Sequence, residues 1–173
     1  MDILENRVQW NANYHDGWLA HFRQTGQTDW KRYQPPQNIK VPAGPGVKLS
    51  QSRLMLISSA GAYLRHSQPA FDAANQEGDY TIRTFPASTP LTDLAFAHDH
   101  YNHTLIEQDP RIALPLPFLH TLVQKGQLGE LAPTVLSFMG YQPDVIRVVD
   151  QVIPQILATA QAEKIDAALL APM

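Results

Sequence analysis

The C-terminal third of the chain constrains the fold most, because it holds two strand-like runs with a long helical stretch between them. Residues 134–139 and residues 165–171 are short apolar runs, and residues 143–164 have a helical pattern. A strand, a helix and a strand in this order predict a parallel pair joined by a right-handed crossover. Pro154 lies inside the helical stretch and is expected to kink or split it. We therefore predict an α/β fold.

An earlier apolar run predicts the central strand of the same sheet. Residues 53–59 are almost continuously apolar and lead into the small-residue turn Ala60-Gly61-Ala62. Strands that are covered on both faces have this pattern. The other predicted elements are strands at 80–85 and 93–97 and a helix at 118–125. The prediction is a single domain with a mainly parallel, doubly wound sheet of the flavodoxin or Rossmann type.

Residues 1–34 contain all three tryptophans and are predicted to form a helical arm ahead of the domain. A helical arrangement brings a set of apolar side chains close to one face: Val8, Trp10, Tyr14, Trp18, Leu19 and Phe22. This face either packs on its own domain or pairs with a second subunit, since aromatic faces suit interfaces too. Residues 35–50 are rich in proline and glycine and are interpreted as a linker, which leaves 51–173 as the domain.

The composition excludes several classes of function. There are 13 basic and 16 acidic residues, and no basic cluster that would favour nucleic acid or an anionic membrane as a partner. No apolar run approaches about 20 residues and the start lacks the order of a signal peptide, so the expected location is the cytoplasm. Without cysteine, the 173 residues have no disulfide, thiolate metal site or cysteine nucleophile. Nucleotide-binding and serine hydrolase motifs are absent as well.

Residues 97–103, Ala-His-Asp-His-Tyr-Asn-His, carry the densest set of reactive side chains. Neutral imidazoles bind metals such as zinc, copper, nickel and iron. A strand or turn could project His98 and His100 to one side, and the next turn would add His103. Three interpretations remain open: structural hydrogen bonds in a loop, an organic ligand, or a divalent metal ion as cofactor.

Polar residues near the ends of predicted strands supply further candidates. Ser59 and Gly61 follow the first strand and Ser137 lies late in another, so their hydroxyls and amides should reach the carboxyl edge of the sheet. Amides at such an edge can hold anions. Asp79 and Arg83 lie four residues apart on an extended segment and face one side. They form an ion pair, or Arg83 holds the carboxylate of a ligand.

Several segments occur in an order that resembles a known enzyme family. They are residues 58–64 (Ser-Ser-Ala-Gly-Ala-Tyr-Leu), 78–83 (Gly-Asp-Tyr-Thr-Ile-Arg), 98–103, 126–129 (Gly-Gln-Leu-Gly), 137–140 (Ser-Phe-Met-Gly) and the strand 165–172. Together they resemble the selenoprotein B family of glycine, sarcosine, betaine and D-proline reductases. The resemblance covers roughly residues 52–173 and depends on the ordered series rather than on any one motif.

The resemblance implies a reductase that cleaves a carbon–nitrogen bond in a small amino-acid-like substrate. The chain would then form a homo-oligomer or join a partner reductase subunit, which in some members carries a carbonyl cofactor. Arg83 would hold the substrate carboxylate, and His98, His100 or His103 would supply hydrogen bonds or protons. The full set of substrate-binding candidates is Ser59, Gly61, Asp79, Arg83 and Ser137.

The family has a selenocysteine or cysteine just beyond the strand that corresponds to residues 165–171, and this chain has neither. We consider three explanations: a selenocysteine codon after Met173 that was read as a stop, a second half made as a separate polypeptide, or a shortened paralogue. The alternative function is a non-catalytic module for ligand binding, metal binding or assembly. It would use the histidine segment and the aromatic arm.

Overall fold

The computed structural model describes residues 4–40, 44, 46–99 and 101–173, which fold around one mainly parallel sheet. The strands are β1 (Arg53–Ser58), β2 (Ala62–Leu64), β3 (Arg83–Pro86), β4 (Leu94–Phe96), β5 (Glu130–Leu131), β6 (Thr134–Ser137) and β7 (Ala167–Ala171). The helices are α1 (Arg7–Asn13), α2 (Ala20–Thr25), α3 (His103–Gln108), α4 (Leu116–Gln124), α5 (Val145–Arg147) and α6 (Ile153–Ala162). Shorter turns of 3-10 helix lie at Leu49–Gln51, Leu91–Asp93 and Pro110–Ile112. The predicted α/β class is confirmed.

The sheet is organised around β1, which pairs in parallel with three other strands. β7 follows one edge of β1 from Leu54, opposite Ala167, to Ser58, opposite Ala171. β5 and β6 share the other edge, where β5 pairs with the beginning of β1 and β6 with its end. β3 adds an antiparallel strand beyond β6. The strand predicted to be central is therefore central.

Alternate residues of β1 enter two different hydrophobic cores. Leu54 and Leu56 belong to a cluster formed with α3, α4 and the strands β2 and β4. Met55 and Ile57 belong to a cluster on the opposite face, where Ile156 of α6 packs. Burial on both faces explains why this stretch of sequence is continuously apolar.

A two-stranded antiparallel sheet, β2 with β4, follows β1 after a tight turn at Gly61. The pattern at 93–97 predicted β4, but its partner β2 was not anticipated. Gly61 has a φ of +67°, and a Cβ at this position would lie 2.3 Å from the carbonyl oxygen of Ala97. The Gly61 amide donates to Phe138 O at 2.9 Å, and its carbonyl accepts from Ala97 N at 3.0 Å. Only glycine fits this close approach of two backbone segments.

The helical stretch predicted at 143–164 is interrupted, as expected from Pro154. α5 and α6 are separated by a π-helical segment, Val148–Val152, which ends just before the proline. Proline has no amide hydrogen to donate to the preceding turn, so a local change in hydrogen bonding there is the expected result. No helix in the described part of the chain is long and apolar enough to cross a membrane.

The N-terminal arm packs on its own domain, which was one of the two interpretations. α1, a π-helical segment (Tyr14–Leu19) and α2 form one helical run. The rings of Trp10 and Tyr14 stack 5.2 Å apart, and those of Tyr14 and Trp18 stack 5.8 Å apart. This cluster packs against Val145, Ile146 and Val149 at the start of the long helix. Val8 was wrongly placed on the buried face and is 85% exposed, because two residues before Trp10 is almost the opposite side of a helix.

Two further details of the sequence prediction need correction. The strand expected at 80–85 is only Arg83–Pro86. Tyr80 lies outside this strand but is buried, and its hydroxyl accepts a hydrogen bond from Asp144 N. The final strand, expected to be buried, is half-exposed, with Leu170 66% exposed. No described strand covers the outer edge of β7.

We expect Gly61→Ala to lower the free energy of unfolding by about 3 kcal/mol, because the methyl group collides with Ala97 and the positive φ is strained. Gly26→Ala is the matched control. Gly26 has a φ of +69° but no atom within 4 Å of the added carbon, so the loss should be about 1 kcal/mol. Urea denaturation measures both. Equal losses in the two variants would show that the contact with Ala97 does not add to the cost of the substitution.

Candidate functional site

The carboxyl ends of β1, β6 and β7 lie side by side because these strands are parallel, and the residues just beyond them meet. Gly140 lies at the centre of this meeting point. A Cβ at Gly140 would be 3.2 Å from Ser59 Oγ, 3.2 Å from His98 Nε2 and 3.2 Å from Met173 O. Three separate stretches of the chain thus place polar atoms around one position that has no side chain.

Ser59 links these stretches by hydrogen bonds. Its amide donates to Ala171 O at 3.1 Å, and its carbonyl accepts from Gly140 N at 2.9 Å. Its hydroxyl oxygen accepts from Met173 N at 2.9 Å. The serine predicted to reach the carboxyl edge of the sheet lies there and orders the ends of the neighbouring strands.

A cavity of about 490 Å³ opens beside this cluster. His98, Gly140 and Met173 form one side, and the other lining residues are Thr28, Trp30, Gln76 and Tyr141. The rings of Trp30 and Tyr141 meet edge to face with centroids 5.9 Å apart. Burial raises the pKa of Tyr141 to about 12, so its hydroxyl stays neutral and donates to Gln76 O at 2.9 Å. The N-terminal arm therefore contributes one wall of the cavity.

His98 is 3% exposed and is held within a stack of rings. Its ring centroid lies 4.7 Å from that of Tyr101, and Tyr101 in turn stacks on His103 at 4.9 Å. His103 Nε2 hydrogen-bonds to the His98 carbonyl oxygen. Tyr101 donates its hydroxyl to Ala60 O at 2.8 Å, and burial raises the pKa of this tyrosine to about 12. The histidine segment is thereby anchored to the turn after β1.

The predicted metal site depends on a residue that lies outside the described part of the chain, His100. Among the residues that the structure describes, no group of three or more histidine, aspartate or glutamate side chains is placed to hold a metal ion. The Nε2 atom of His103 is engaged with the His98 carbonyl. The divalent metal therefore stays a prediction from sequence.

Arg83 begins β3, and its guanidinium orders the adjoining loop. Nε donates to Pro69 O at 3.0 Å, Nη1 donates to Thr81 Oγ1 at 2.8 Å, and Nη2 donates to Ala70 O at 3.3 Å. The guanidinium also lies over the Phe71 ring, 4.4 Å from its centroid. A ligand carboxylate would have to share or displace these donors.

Asp79 caps the turn before β3. Its carboxylate accepts from Asp72 N at 2.9 Å and from Thr81 N at 2.8 Å, and also from the Thr81 hydroxyl. Partial burial acts to raise the pKa of Asp79, but these hydrogen bonds and the charge of Arg83 outweigh it and lower the pKa below 3.8. The hydrogen bonds of Asp79 and Arg83 run to the backbone and to Thr81, so the two residues order one loop together.

Ser137 and Gly61 are not among the residues that line the cavity, and neither is Ser59. Ser137 ends β6, opposite Ser58 on one side and Arg83 on the other. Its side chain is fully buried, and its hydroxyl has no hydrogen-bond partner among the described residues. The amide of Gly61 donates its hydrogen bond to Phe138 O and is therefore not free for a ligand.

The structure brings Ser59 and His98 together, and it adds residues that sequence reasoning did not assign to the site. Gly140 was noted only as the end of a motif, and Trp30 only as an aromatic residue of the arm. The backbone carbonyl of Met173 carries no signal in a sequence. Glycine directly after an apolar strand was the one usable sign, because such a glycine often marks a close approach to a ligand.

Comparison with known proteins finds one distant relative. The chain is 26% identical over 123 residues to D-proline reductase subunit gamma of Acetoanaerobium sticklandii, a match that covers 71% of this chain and 49% of the relative. The chain thus spans about half the length of this curated relative. No family model matches the chain. No solved structure matches it either. The chain is therefore distantly similar to a reductase subunit.

We expect Asp79→Asn to reduce stability by about 1 kcal/mol at neutral pH, because it removes a charged acceptor from the turn. The folded-state pKa of Asp79 lies below 3.8, so the carboxylate stabilises the fold above that pH. This contribution is lost as the pH falls through the folded-state pKa. The difference in free energy of unfolding between wild type and variant should therefore narrow below pH 3.8. A difference that stays constant over this range would contradict the assignment.

Proposed function

We propose that this chain forms the substrate-binding part of a reductase that cleaves a carbon–nitrogen bond in a small amino-acid-like molecule. The observation that carries the proposal is the convergence of Ser59, His98 and the Met173 carbonyl around Gly140. Ligands of open α/β sheets bind outside the carboxyl ends of the strands, where this cluster lies. The similarity to a D-proline reductase subunit supports the type of reaction.

The cavity offers complementary groups for a molecule with an amine and a carboxylate. Met173 O is an acceptor for an ammonium or secondary amine N–H. Ser59 Oγ accepts from Met173 N and keeps its own hydrogen to donate to a carboxylate. The aromatic faces of Trp30 and Tyr141 attract a cationic nitrogen. A volume of about 490 Å³ accommodates one small ligand of this kind.

Reductive cleavage of a carbon–nitrogen bond takes up two electrons and two protons. The carbon gains a hydrogen, the nitrogen gains the other as it becomes an amine, and a thiol or selenol pair is oxidised to a disulfide or selenosulfide. In our proposal His98 gives the proton to the nitrogen, because a buried imidazole beside the cavity can act as a general acid. The chain has no cysteine, so the electron-donating pair lies outside these 173 residues.

The polar residues predicted from sequence take two different roles in this proposal. His98, which lines the cavity, contacts the substrate directly, and Ser59 Oγ reaches it from beside Gly140. Asp79 and Arg83 hold the loop at residues 69–72 in place beside the site. Direct contact of Arg83 with the substrate carboxylate is the competing assignment, and a single variant separates the two.

We expect D-proline to bind the wild-type chain, with glycine, sarcosine and betaine as comparison ligands. Gly140→Ala should weaken binding at least about 10-fold, because the methyl group enters the space between Ser59 Oγ, His98 Nε2 and Met173 O. Gly17→Ala is the matched control, since its added carbon meets only Arg32 O at an ordinary 3.7 Å. Isothermal titration calorimetry gives the dissociation constants. Absence of binding to all four ligands, or equal affinity in Gly140→Ala, would overturn the proposal.

Arg83→Ala should lower the free energy of unfolding by about 2 kcal/mol through the loss of its hydrogen bonds to the loop. In our assignment the variant that remains folded still binds D-proline. Arg111→Ala serves as the control, because Arg111 pairs with Asp109 on the surface and should change stability little. Loss of binding with unchanged stability would place Arg83 in direct contact with the substrate instead.

A further inference from the structure

A second cavity, of about 690 Å³, opens between α3 and the two-stranded sheet of β2 and β4. Tyr63 of β2, Phe96 of β4 and Ile106 of α3 line it, and we call it the α3 cavity. It is larger than the cavity of about 490 Å³ at the sheet edge, and no described residue lines both. A volume of this size holds a small organic molecule. The reaction proposed above makes no use of it.

Arg65 supplies a cationic group that is held in place in the lining of the α3 cavity. It follows β2 directly, and its amide donates to Asp93 O at 2.9 Å. Its Nη2 atom donates to Leu94 O at 2.8 Å, where β4 begins. Among the described residues no carboxylate pairs with Arg65, and its Nε and Nη1 atoms have no hydrogen-bond partner. A guanidinium fixed through one nitrogen can present the others to a ligand carboxylate with little loss of side-chain entropy.

Glu107 supplies the opposite charge. It lies on α3, lines the same cavity and is exposed. Within the described part of the chain its carboxylate forms no ion pair, either with Arg65 or with another side chain. No other described lysine, arginine, aspartate or glutamate lines the cavity. A ligand with a single charge would be attracted by one of the two groups and repelled by the other, whereas a zwitterion satisfies both.

The rest of the lining is mainly apolar. Leu91 and Pro110 come from turns of 3-10 helix, and the buried side chains of Leu94 and Ile106 come from β4 and α3. In small-molecule sites an apolar lining binds the body of the ligand, and a few polar groups fix its orientation. The lining therefore favours a ligand that carries an apolar group beside its two charges.

We propose that the α3 cavity is a second binding site, which takes an amino acid with an apolar side chain. The ligand carboxylate binds Arg65, its ammonium group binds Glu107, and its side chain packs against Leu91, Phe96 and Pro110. This ligand differs from the small substrates of the reaction proposed above by its larger apolar part. The inference does not depend on that reaction, since it is drawn from the charges and the lining of this cavity alone.

His103 connects the two cavities. It lines the α3 cavity, and its Nε2 atom hydrogen-bonds to the His98 carbonyl oxygen. His98 in turn lines the cavity at the sheet edge. The two sites have separate linings, and one hydrogen bond of the histidine segment joins them.

The test is isothermal titration calorimetry of the full chain with D-leucine and L-leucine as probes. At least one enantiomer should bind. 4-Methylpentanoate, which is leucine without its amino group, and 3-methylbutylamine, which lacks the carboxylate, should each bind at least about 10-fold more weakly. Arg65→Gln should weaken leucine binding at least about 10-fold, because it removes the charged partner of the carboxylate. Arg111→Gln is the matched control: Arg111 pairs with Asp109, does not line the cavity, and should leave the affinity unchanged.

Glu107→Gln is a second variant, on the exposed side of α3, in case loss of the Arg65 bond to Leu94 O prevents folding by circular dichroism. It should weaken the binding of leucine at least about 10-fold but leave that of 4-methylpentanoate unchanged, because only leucine has an ammonium group. Gly140→Ala, in the other cavity, should leave leucine binding unchanged.

Three results would each overturn the inference. They are failure of both enantiomers to bind, equal affinity for leucine and 4-methylpentanoate, and loss of leucine binding in Gly140→Ala. The last result would place leucine in the cavity at the sheet edge. Failure of D-proline to bind would count against the proposed reaction alone, so the two proposals are tested separately.

Discussion

The parallel pairing of β1 is the constraint on which the rest of the structure depends. β1 contacts β5, β6 and β7 through its two edges and separates two hydrophobic cores with its two faces. The common direction of β1, β6 and β7 brings their carboxyl ends to one edge of the sheet. Residues that are far apart in the chain, Ser59, Gly140 and Met173, meet for this reason alone. The position of the candidate site is thus set by the direction of the strands, and the side chains determine its chemistry.

Local patterns predicted the elements that are determined by local physics. Continuous apolar residues identified β1, and the strand–helix–strand order identified the parallel pairing of the C-terminal part. Pro154 predicted the disturbance in the long helix, because the missing amide hydrogen acts on its own turn. β2 was not predicted from the sequence, because a strand of three residues is too short to show an alternating pattern. The exposure of β7 was not predicted for another reason. The sequence of an apolar strand does not show whether a neighbouring strand covers its edge.

The sequence indicated some of the residues that meet around Gly140 and not others, for physical reasons. Ser59 and His98 were identified because their residue types perform chemistry and because they follow predicted strands. Gly140 contributes by the side chain that it lacks, and Met173 by a backbone carbonyl, so neither has a signature in residue type. Trp30 reaches the cavity only through the docking of the arm. These contributions depend on tertiary contacts that no local pattern contains.

Because the N-terminal arm forms one wall of the cavity, docking of the arm is coupled to any binding in the cavity. Trp30 contacts Tyr141 only while the arm lies on the domain. In our proposal, a ligand in the cavity beside these rings binds only while the arm is docked, so its binding stabilises the packing of Trp10, Tyr14 and Trp18 on the start of the long helix. By the same linkage, detachment of the arm lowers the affinity for the ligand by the factor by which the ligand favours docking. In our proposal, the docking of the first 34 residues and the occupancy of the cavity at the sheet edge are therefore thermodynamically linked.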